Sequence, residues 1–104
     1  MKEVSLIAWP AADGIPDATR VSDKMAARGY AVTRYTYPAG ADFPPHSHPW
    51  DKCSSVLEGR FEIVVGDTSY VLARGDLLFI PAGVVHAARV LGDVAVTSLD
   101  GVKR

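Results

Sequence analysis

All three histidines of this 104-residue chain lie in two short segments framed by glycine and proline. His46 and His48 are two residues apart, and on a β-strand side chains at that spacing point to the same face. Both imidazoles can therefore be directed at one spot. Imidazole is a good ligand for zinc, copper, iron and nickel, so the pair predicts one half of a transition-metal site.

The third histidine, His86, ends a segment that begins at Gly75 and contains an apolar run bounded by glycine and proline turns. A His-x-His pair alone also occurs on ordinary surface loops. A further histidine at the start of a separate predicted strand favours a binding site assembled from distant parts of the chain.

The two segments together resemble the two motifs of the cupin family. The first contains Gly40, five residues, His46-Ser47-His48, and then Gly59. The second contains Gly75, five residues, Pro81-Ala82-Gly83, two residues and His86. The resemblance covers residues 40–59 and 75–90. It implies a mainly all-β chain folded as a small antiparallel cupin-type β-barrel, or jelly roll, whose mouth holds a divalent metal on His46, His48 and His86.

This chain departs from the family pattern at two positions. Lys52 stands where the family commonly has a glutamate ligand, and Val90 stands where an asparagine often follows the second motif. Alternation along the strand that starts near Trp50 places Lys52, Ser54 and Val56 on one face. If that face is the interior, the Lys52 ammonium lies beside the histidines and repels a dication.

Four arrangements of the site remain open from the residues alone. Three histidines hold the metal and Lys52 acts catalytically, by binding an anionic substrate or as a base. Neutral Lys52 is itself a fourth ligand. A one-residue shift of the strand makes Asp51 the fourth ligand. In the last arrangement the ammonium replaces the metal.

The resemblance implies chemistry on a small organic molecule, because three-histidine centres occur among cupin dioxygenases, and we expect dioxygenase- or isomerase-like activity. The alternative is a non-enzymatic cupin that binds a ligand or supports assembly after losing the metal. The ion could be Zn, Fe, Mn, Ni or Cu, since three imidazoles suit each of them. Aromatic residues that could line the pocket or simply form the core are Trp50, Tyr35, Tyr37, Phe43, Phe61 and Phe79.

Composition excludes several other classes of function. The formal net charge is -1 and the longest basic cluster is Lys103-Arg104, so a nucleic-acid partner is not expected. No apolar run approaches the roughly 20 residues that span a membrane. The single cysteine, Cys53, excludes an intramolecular disulfide and suits a reducing compartment, so we expect a cytoplasmic protein with Cys53 as a small buried apolar residue.

The order of the predicted elements indicates one domain with three parts. Residues 1–29 form an N-terminal strand at 4–9 and the only helix at 18–28, capped by Asp17 and ended at Gly29. Residues 30–99 form the barrel, and residues 100–104 form a tail. The barrel strands are predicted at 30–37, 50–57, 60–65, 68–73, 77–80, 86–91 and 94–99. The N-terminal strand leaves backbone groups unpaired, and small cupins pair as dimers, so we expect a homodimer.

Overall fold

The computed structural model describes residues 3–104, and β-strands dominate it. Within these residues, nine strands, one helix and one short 3₁₀ turn follow each other. Their bounds are β1 Ser5–Ile7, the 3₁₀ turn Ala11–Asp13, α1 Ala18–Ala27, β2 Ala31–Tyr37, β3 Asp42–His46, β4 Asp51–Glu58, β5 Arg60–Val65, β6 Thr68–Leu72, β7 Leu77–Ile80, β8 His86–Leu91 and β9 Val96–Lys103.

The strands form two antiparallel sheets. One has the order β1-β7-β4-β9-β2 and the other has the order β3-β8-β5-β6. An inner core of apolar residues from both sheets fills the space between them: Val56, Phe61, Ile63, Leu72, Leu78, Ile80, Ala88, Val90 and Val96. This is the predicted small antiparallel barrel of the jelly-roll type.

Helix α1 covers the outer face of the five-stranded sheet. It begins because the Asp17 carboxylate accepts a hydrogen bond from the backbone N–H of Arg20, which satisfies one of the free donors of the first turn. Val21 and Met25, four residues apart, are fully buried beneath it. They form an outer core with Cys53, Leu57, Leu77 and Leu99.

Two glycines allow close approaches that a side chain would block. Gly59, in the turn between β4 and β5, has φ of 83°, and a Cβ there would lie 2.5 Å from the backbone oxygen of Ala95. Gly75, before β7, has φ of 86°, and a Cβ would lie 2.5 Å from Pro16. Both motif glycines therefore serve backbone geometry.

The strand predictions differ from the structure at β3, which is absent from the predicted barrel strands, and at the two ends of the chain. The predicted strand at 4–9 is only the three-residue β1, which pairs with β7 at one edge of the sheet. The predicted tail at 100–104 is wrong for most of its length, because β9 continues to Lys103 and pairs with β2 and β4 throughout. Within residues 3–104, no helix combines the length and apolar character needed to cross a membrane.

Candidate metal centre

Two of the three histidines face each other across a strand pair. His46 ends β3 and lies opposite His86 at the start of β8. β3 contains Pro44 and Pro45, which it tolerates because it is an edge strand and its register shifts between Phe43 and His46.

His48 lies beyond the end of β3, in the connection to β4. The expectation that one strand carries both His46 and His48 is therefore wrong. The backbone nevertheless returns the ring to the same place, because the carbonyl of His48 accepts a 2.8 Å hydrogen bond from the N–H of Gly83. The Trp50 ring stacks on the His48 ring at 5.6 Å between centroids, which holds the imidazole from its other side.

The three imidazoles converge at one end of the barrel. Ring centroids are 4.4 Å apart for His46 and His86, 4.9 Å for His46 and His48, and 5.4 Å for His48 and His86. The ligating nitrogens all lie within 4.8 Å of one another. Nitrogens at this spacing could hold one ion if the rings moved closer together, because metal–nitrogen bonds are about 2.0–2.1 Å long.

Hydrogen bonds to backbone carbonyls leave one nitrogen free on each of two rings. Nδ1 of His46 lies 2.7 Å from the oxygen of Pro44, and Nδ1 of His86 lies 3.0 Å from the oxygen of Val84. A carbonyl can only accept, so each Nδ1 carries the proton and each Nε2 keeps its lone pair. Metal-binding histidines are commonly oriented in this way.

Nε2 of His48 is the strongest sign of a missing partner. It is buried and has no hydrogen-bond partner within the part of the chain that the structure describes. Buried polar nitrogens are nearly always satisfied, and an ion bound at this end of the barrel would satisfy this one. The donor set therefore fits a metal ion.

The surroundings keep two of the imidazoles neutral. Burial lowers the pKa of His48, and the positive charge of Lys52 lowers it further. Burial also lowers the pKa of His86, against the opposing effect of the hydrogen bond to Val84. A metal ligand must be the neutral imidazole, so both shifts favour binding.

Lys52 enters the barrel, and Asp51 does not. Lys52 pairs with Ile80 and Val102 and lines the cavity beside the histidines. The Oδ1 atom of Asp51 accepts a 2.8 Å hydrogen bond from the N–H of Ala82, in the turn before β8. The shifted register that would make Asp51 a ligand is therefore not adopted.

The cavity below the histidines is small and has mixed walls. Its volume is about 50 Å³. Of the aromatic candidates, Tyr37, Phe43 and Phe61 line it, while Trp50, Tyr35 and Phe79 lie elsewhere. The polar part of the wall consists of His46, Lys52, Ser54, His86 and Asp100 together with the Tyr37 hydroxyl.

Sequence reasoning missed Asp100, which is buried with only 6% of its surface exposed. Its Oδ2 accepts a 2.7 Å hydrogen bond from the Tyr37 hydroxyl, and its Oδ1 accepts a longer bond of 3.3 Å from Ser54. The Ser98 hydroxyl also lies 3.3 Å from Oδ1, but it shares its one proton with the Ser55 carbonyl oxygen at 3.1 Å. Burial, followed by the charge of Asp100, raises the pKa of Tyr37, so the phenol keeps its proton and donates. Extending the alternation of β9 past Leu99 would have put Asp100 on the same inner face as Val96 and Ser98.

Comparison with known proteins decides the family. The family model described as Cupin domain matches residues 33–101, about two thirds of the chain. The protein is a cupin. A curated relative, the uncharacterized protein SCO3923 of Streptomyces coelicolor, is 36% identical over 59 residues, which is 57% of this cupin and 56% of the relative. The cupin thus matches just over half of that relative's length.

Several solved structures share this fold. The DMSP lyase DddQ from Ruegeria pomeroyi is 30% identical with a TM-score of 0.65 over 73% of this chain, but only 39% of the lyase is covered. The RmlC-like cupin from Shewanella frigidimarina is 27% identical with a TM-score of 0.62, covering 71% of this chain and 65% of that one. The conserved SPY1581 protein of Streptococcus pyogenes is 28% identical with a TM-score of 0.61, covering 73% and 66%.

Proposed function

We propose that this cupin binds a divalent transition metal on His46, His48 and His86 and acts on a small organic molecule in the cavity below them. The proposed chemistry is of the oxygenase or isomerase type. A structural relative named as a lyase of a small molecule, the DMSP lyase DddQ, supports action on a substrate of this size.

One observation carries the metal assignment: three imidazoles converge, and each has a nitrogen available to an ion. Nδ1 of His46 and of His86 is committed to a backbone carbonyl, which leaves Nε2, and Nε2 of His48 is buried without a hydrogen-bond partner among the residues that the structure describes. Three protein ligands leave coordination positions open, which is the arrangement of a catalytic site. A bound ion would supply Lewis-acid or oxygen-activating chemistry.

Lys52 is proposed as a catalytic residue that binds the anionic group of the substrate. Its ammonium lines the same cavity, and no hydrogen-bond acceptor or ion-pair partner for it occurs among residues 3–104. An ammonium with three free donors is a ready partner for a carboxylate. The apolar part of the wall, Phe43, Phe61, Ile63 and Ala88, lowers the local dielectric and so strengthens this attraction.

Metal content tests the proposal directly. Protein purified without a histidine tag should contain close to one equivalent of a transition metal by elemental analysis. The metal-free protein should gain thermal stability when the ion is added, because the ligand binds only the folded state. Well under one equivalent, with no stabilisation by Zn, Fe, Mn, Ni or Cu, would favour the non-enzymatic alternative, in which the Lys52 ammonium takes the place of the metal.

Lys52→Glu sharpens the same test, because it exchanges a repelling charge for a possible ligand. We expect the metal affinity to rise at least about 10-fold. A ten-fold rise requires only about 1.4 kcal/mol, and the substitution both removes a repelling charge and adds a carboxylate ligand. Asp51→Asn is the matched control, because Asp51 bonds to the Ala82 turn outside the cavity. An unchanged affinity in Lys52→Glu would contradict the placement of Lys52 beside the ion.

Two further parts of the proposal concern the state of the protein in the cell. We propose a homodimer, because β1 is a short edge strand that pairs with β7 on one side only and half-exposes Leu6 and Ile7. Light scattering after size exclusion tests it, and a monomer at micromolar concentration would contradict it. A cytoplasmic location is proposed on the single buried thiol.

A further inference from the structure

The cavity contains a second charged group that the metal proposal does not use. Asp100 on β9 lies opposite Ser54 on β4, and Lys52 is two residues before Ser54 on the same inner face. Both side chains line the cavity, yet no ion pair joins them within residues 3–104. One cation and one anion therefore face the same small space without neutralising each other directly.

Burying a carboxylate without a cation partner is costly, and among residues 3–104 the side chains that compensate it directly are hydroxyl groups. Tyr37 and Ser54 donate to it, while the single hydroxyl proton of Ser98 is shared with the Ser55 carbonyl oxygen, which is closer at 3.1 Å than Asp100 at 3.3 Å. An ionised carboxylate has about four acceptor positions, so these donors leave at least one open, on Oδ2 beside the Tyr37 bond. The Asp100 carboxylate, which lines the cavity, can therefore accept a further hydrogen bond.

A purely structural role does not require this arrangement. A buried carboxylate costs desolvation free energy that an apolar residue at the same position would not. The neighbouring inner positions of the barrel, Val56 and Val96, are apolar and fully buried. The polar cluster is confined to the part of the strands that borders the cavity.

We propose that Asp100 contacts the substrate, and that the cavity takes a small organic carboxylate that also carries a hydrogen-bond donor, either a hydroxyl or an ammonium group. Lys52 binds the carboxylate of this ligand and Asp100 accepts from its donor. Tyr37 and Ser54 are positioning residues that hold the Asp100 carboxylate. This inference rests on the proposed function, because it names the substrate class of that same cavity.

The size of the cavity limits the ligand. A volume of about 50 Å³ is far below the roughly 300–1,000 Å³ of pockets for drug-sized molecules. It accommodates a molecule of a few non-hydrogen atoms, or one end of a longer one. Propionate, lactate and alanine form a matched series for this reason, since they differ only by a hydrogen, a hydroxyl or an ammonium group on the same carbon.

The test is isothermal titration of these three acids into wild-type protein, both metal-free and loaded with zinc. We expect lactate or alanine to bind at least about 10-fold more tightly than propionate, because a hydrogen bond to a charged group contributes about 1.5–3 kcal/mol. Whichever of the two binds more tightly identifies the donor. Failure of both to bind better than propionate would overturn the proposal.

Asp100→Asn separates this contact from chelation by the ion. The preference for the donor-bearing acid should fall to within about 3-fold of propionate, and more completely for alanine, because an amide cannot neutralise an ammonium group. Lys52→Met should instead weaken all three acids by a similar factor. A preference that survives in Asp100→Asn would show that the donor binds elsewhere, and the proposal would be wrong.

Asp76→Asn is the matched control. Asp76 is also a buried aspartate, but it accepts from the N–H groups of Ala73 and Trp9, away from the cavity. Asp76→Asn should lower stability without changing the order of affinity of the three acids. Should Asp100→Asn not fold, crystals of wild type soaked with alanine or lactate serve instead, with the donor expected within about 3.2 Å of an Asp100 oxygen.

Failure of this inference and failure of the metal proposal give different results. A protein that binds no metal but keeps the Asp100-dependent preference in the metal-free titration refutes the metal centre and supports the ligand class. A protein that binds zinc on its histidines but shows no such preference supports the metal centre and refutes the ligand class.

Discussion

The two faces of strands β4 and β9 have opposite character. Toward the barrel interior, near the cavity, they present Lys52, Ser54, Ser98 and Asp100. Toward helix α1 they present apolar residues that join the outer core: Cys53, Leu57 and Leu99. The same two strands therefore supply a polar wall inside the barrel and an apolar layer outside it.

This contrast separates the region that stabilises the fold from the region that binds. Val21 and Met25 of α1 are fully buried against the outer face, so the helix contributes apolar burial that the polar end of the barrel does not. Buried charges near the histidines reduce stability unless a ligand or an ion compensates them. Changes to the outer core should therefore affect folding, and changes to the inner polar wall should affect binding.

The largest effect is expected from Met25→Ala in the outer core. Removing this fully buried side chain should lower the free energy of unfolding by about 2–5 kcal/mol, through lost burial and the cavity left behind. Metal affinity of the folded variant should stay at the wild-type value, measured by titration well below the unfolding temperature. Urea denaturation gives the stability, and a loss of metal affinity without loss of structure would break the separation between the two faces.

His86→Ala should lower metal affinity and leave the fold intact. With one of three ligands removed, we expect metal affinity to fall at least about 100-fold, because even residues that only orient a ligand contribute 10- to 100-fold. The metal-free variant should remain folded by circular dichroism. Arg104→Ala is a suitable control, since its guanidinium lies 4.7 Å from the Trp50 ring and outside the ligand set. Equal metal affinities for His86→Ala and wild type would contradict the assigned centre.

A smaller effect is expected from pH on the metal-free protein. The pKa values of His48 and His86 are lowered from the ordinary value of 6.5 by burial, so the unfolded chain takes up protons before the folded one does. Stability contributed by these groups is complete above pH 6.5 and is lost as the pH falls below it. Thermal melts of chelator-treated protein from pH 7.5 to 5 should show a falling midpoint, and the fall should be shallower in His86→Gln. A midpoint independent of pH would mean that the folded state does not disfavour the charged rings.

The accuracy of the predicted element bounds differs from element to element. The helix was predicted to within one residue, because Asp17 and Gly29 give unambiguous local signals for its two ends. The strands β5, β7 and β8 have the predicted bounds, since turns bracket each of them closely. The end of β9 was missed because glycine and aspartate are poor strand formers, and only pairing on both sides keeps Asp100 and Gly101 extended.

The packing around Gly101 explains why the strand contains a glycine there. A Cβ there would lie 2.9 Å from Met25 and from Tyr30, so only glycine lets the helix layer approach the strand this closely. The requirement comes from residues that are more than seventy positions away in the chain. No window of sequence around Gly101 contains it.

Local spacing predicts an antiparallel barrel, because the period of a strand and the turns that bound it are properties of neighbouring residues. The grouping of His46, His48 and His86 in one candidate site depends on the resemblance to the two cupin motifs, and the direction of Lys52 is open until the register of β4 is known. The loop position of His48, the exclusion of Asp51 from the cavity and the arrival of Asp100 beside Lys52 depend on hydrogen bonds between strands and turns far apart in the chain. Those contacts form only when the two sheets close on each other, since each satisfies a buried polar group that water would otherwise satisfy.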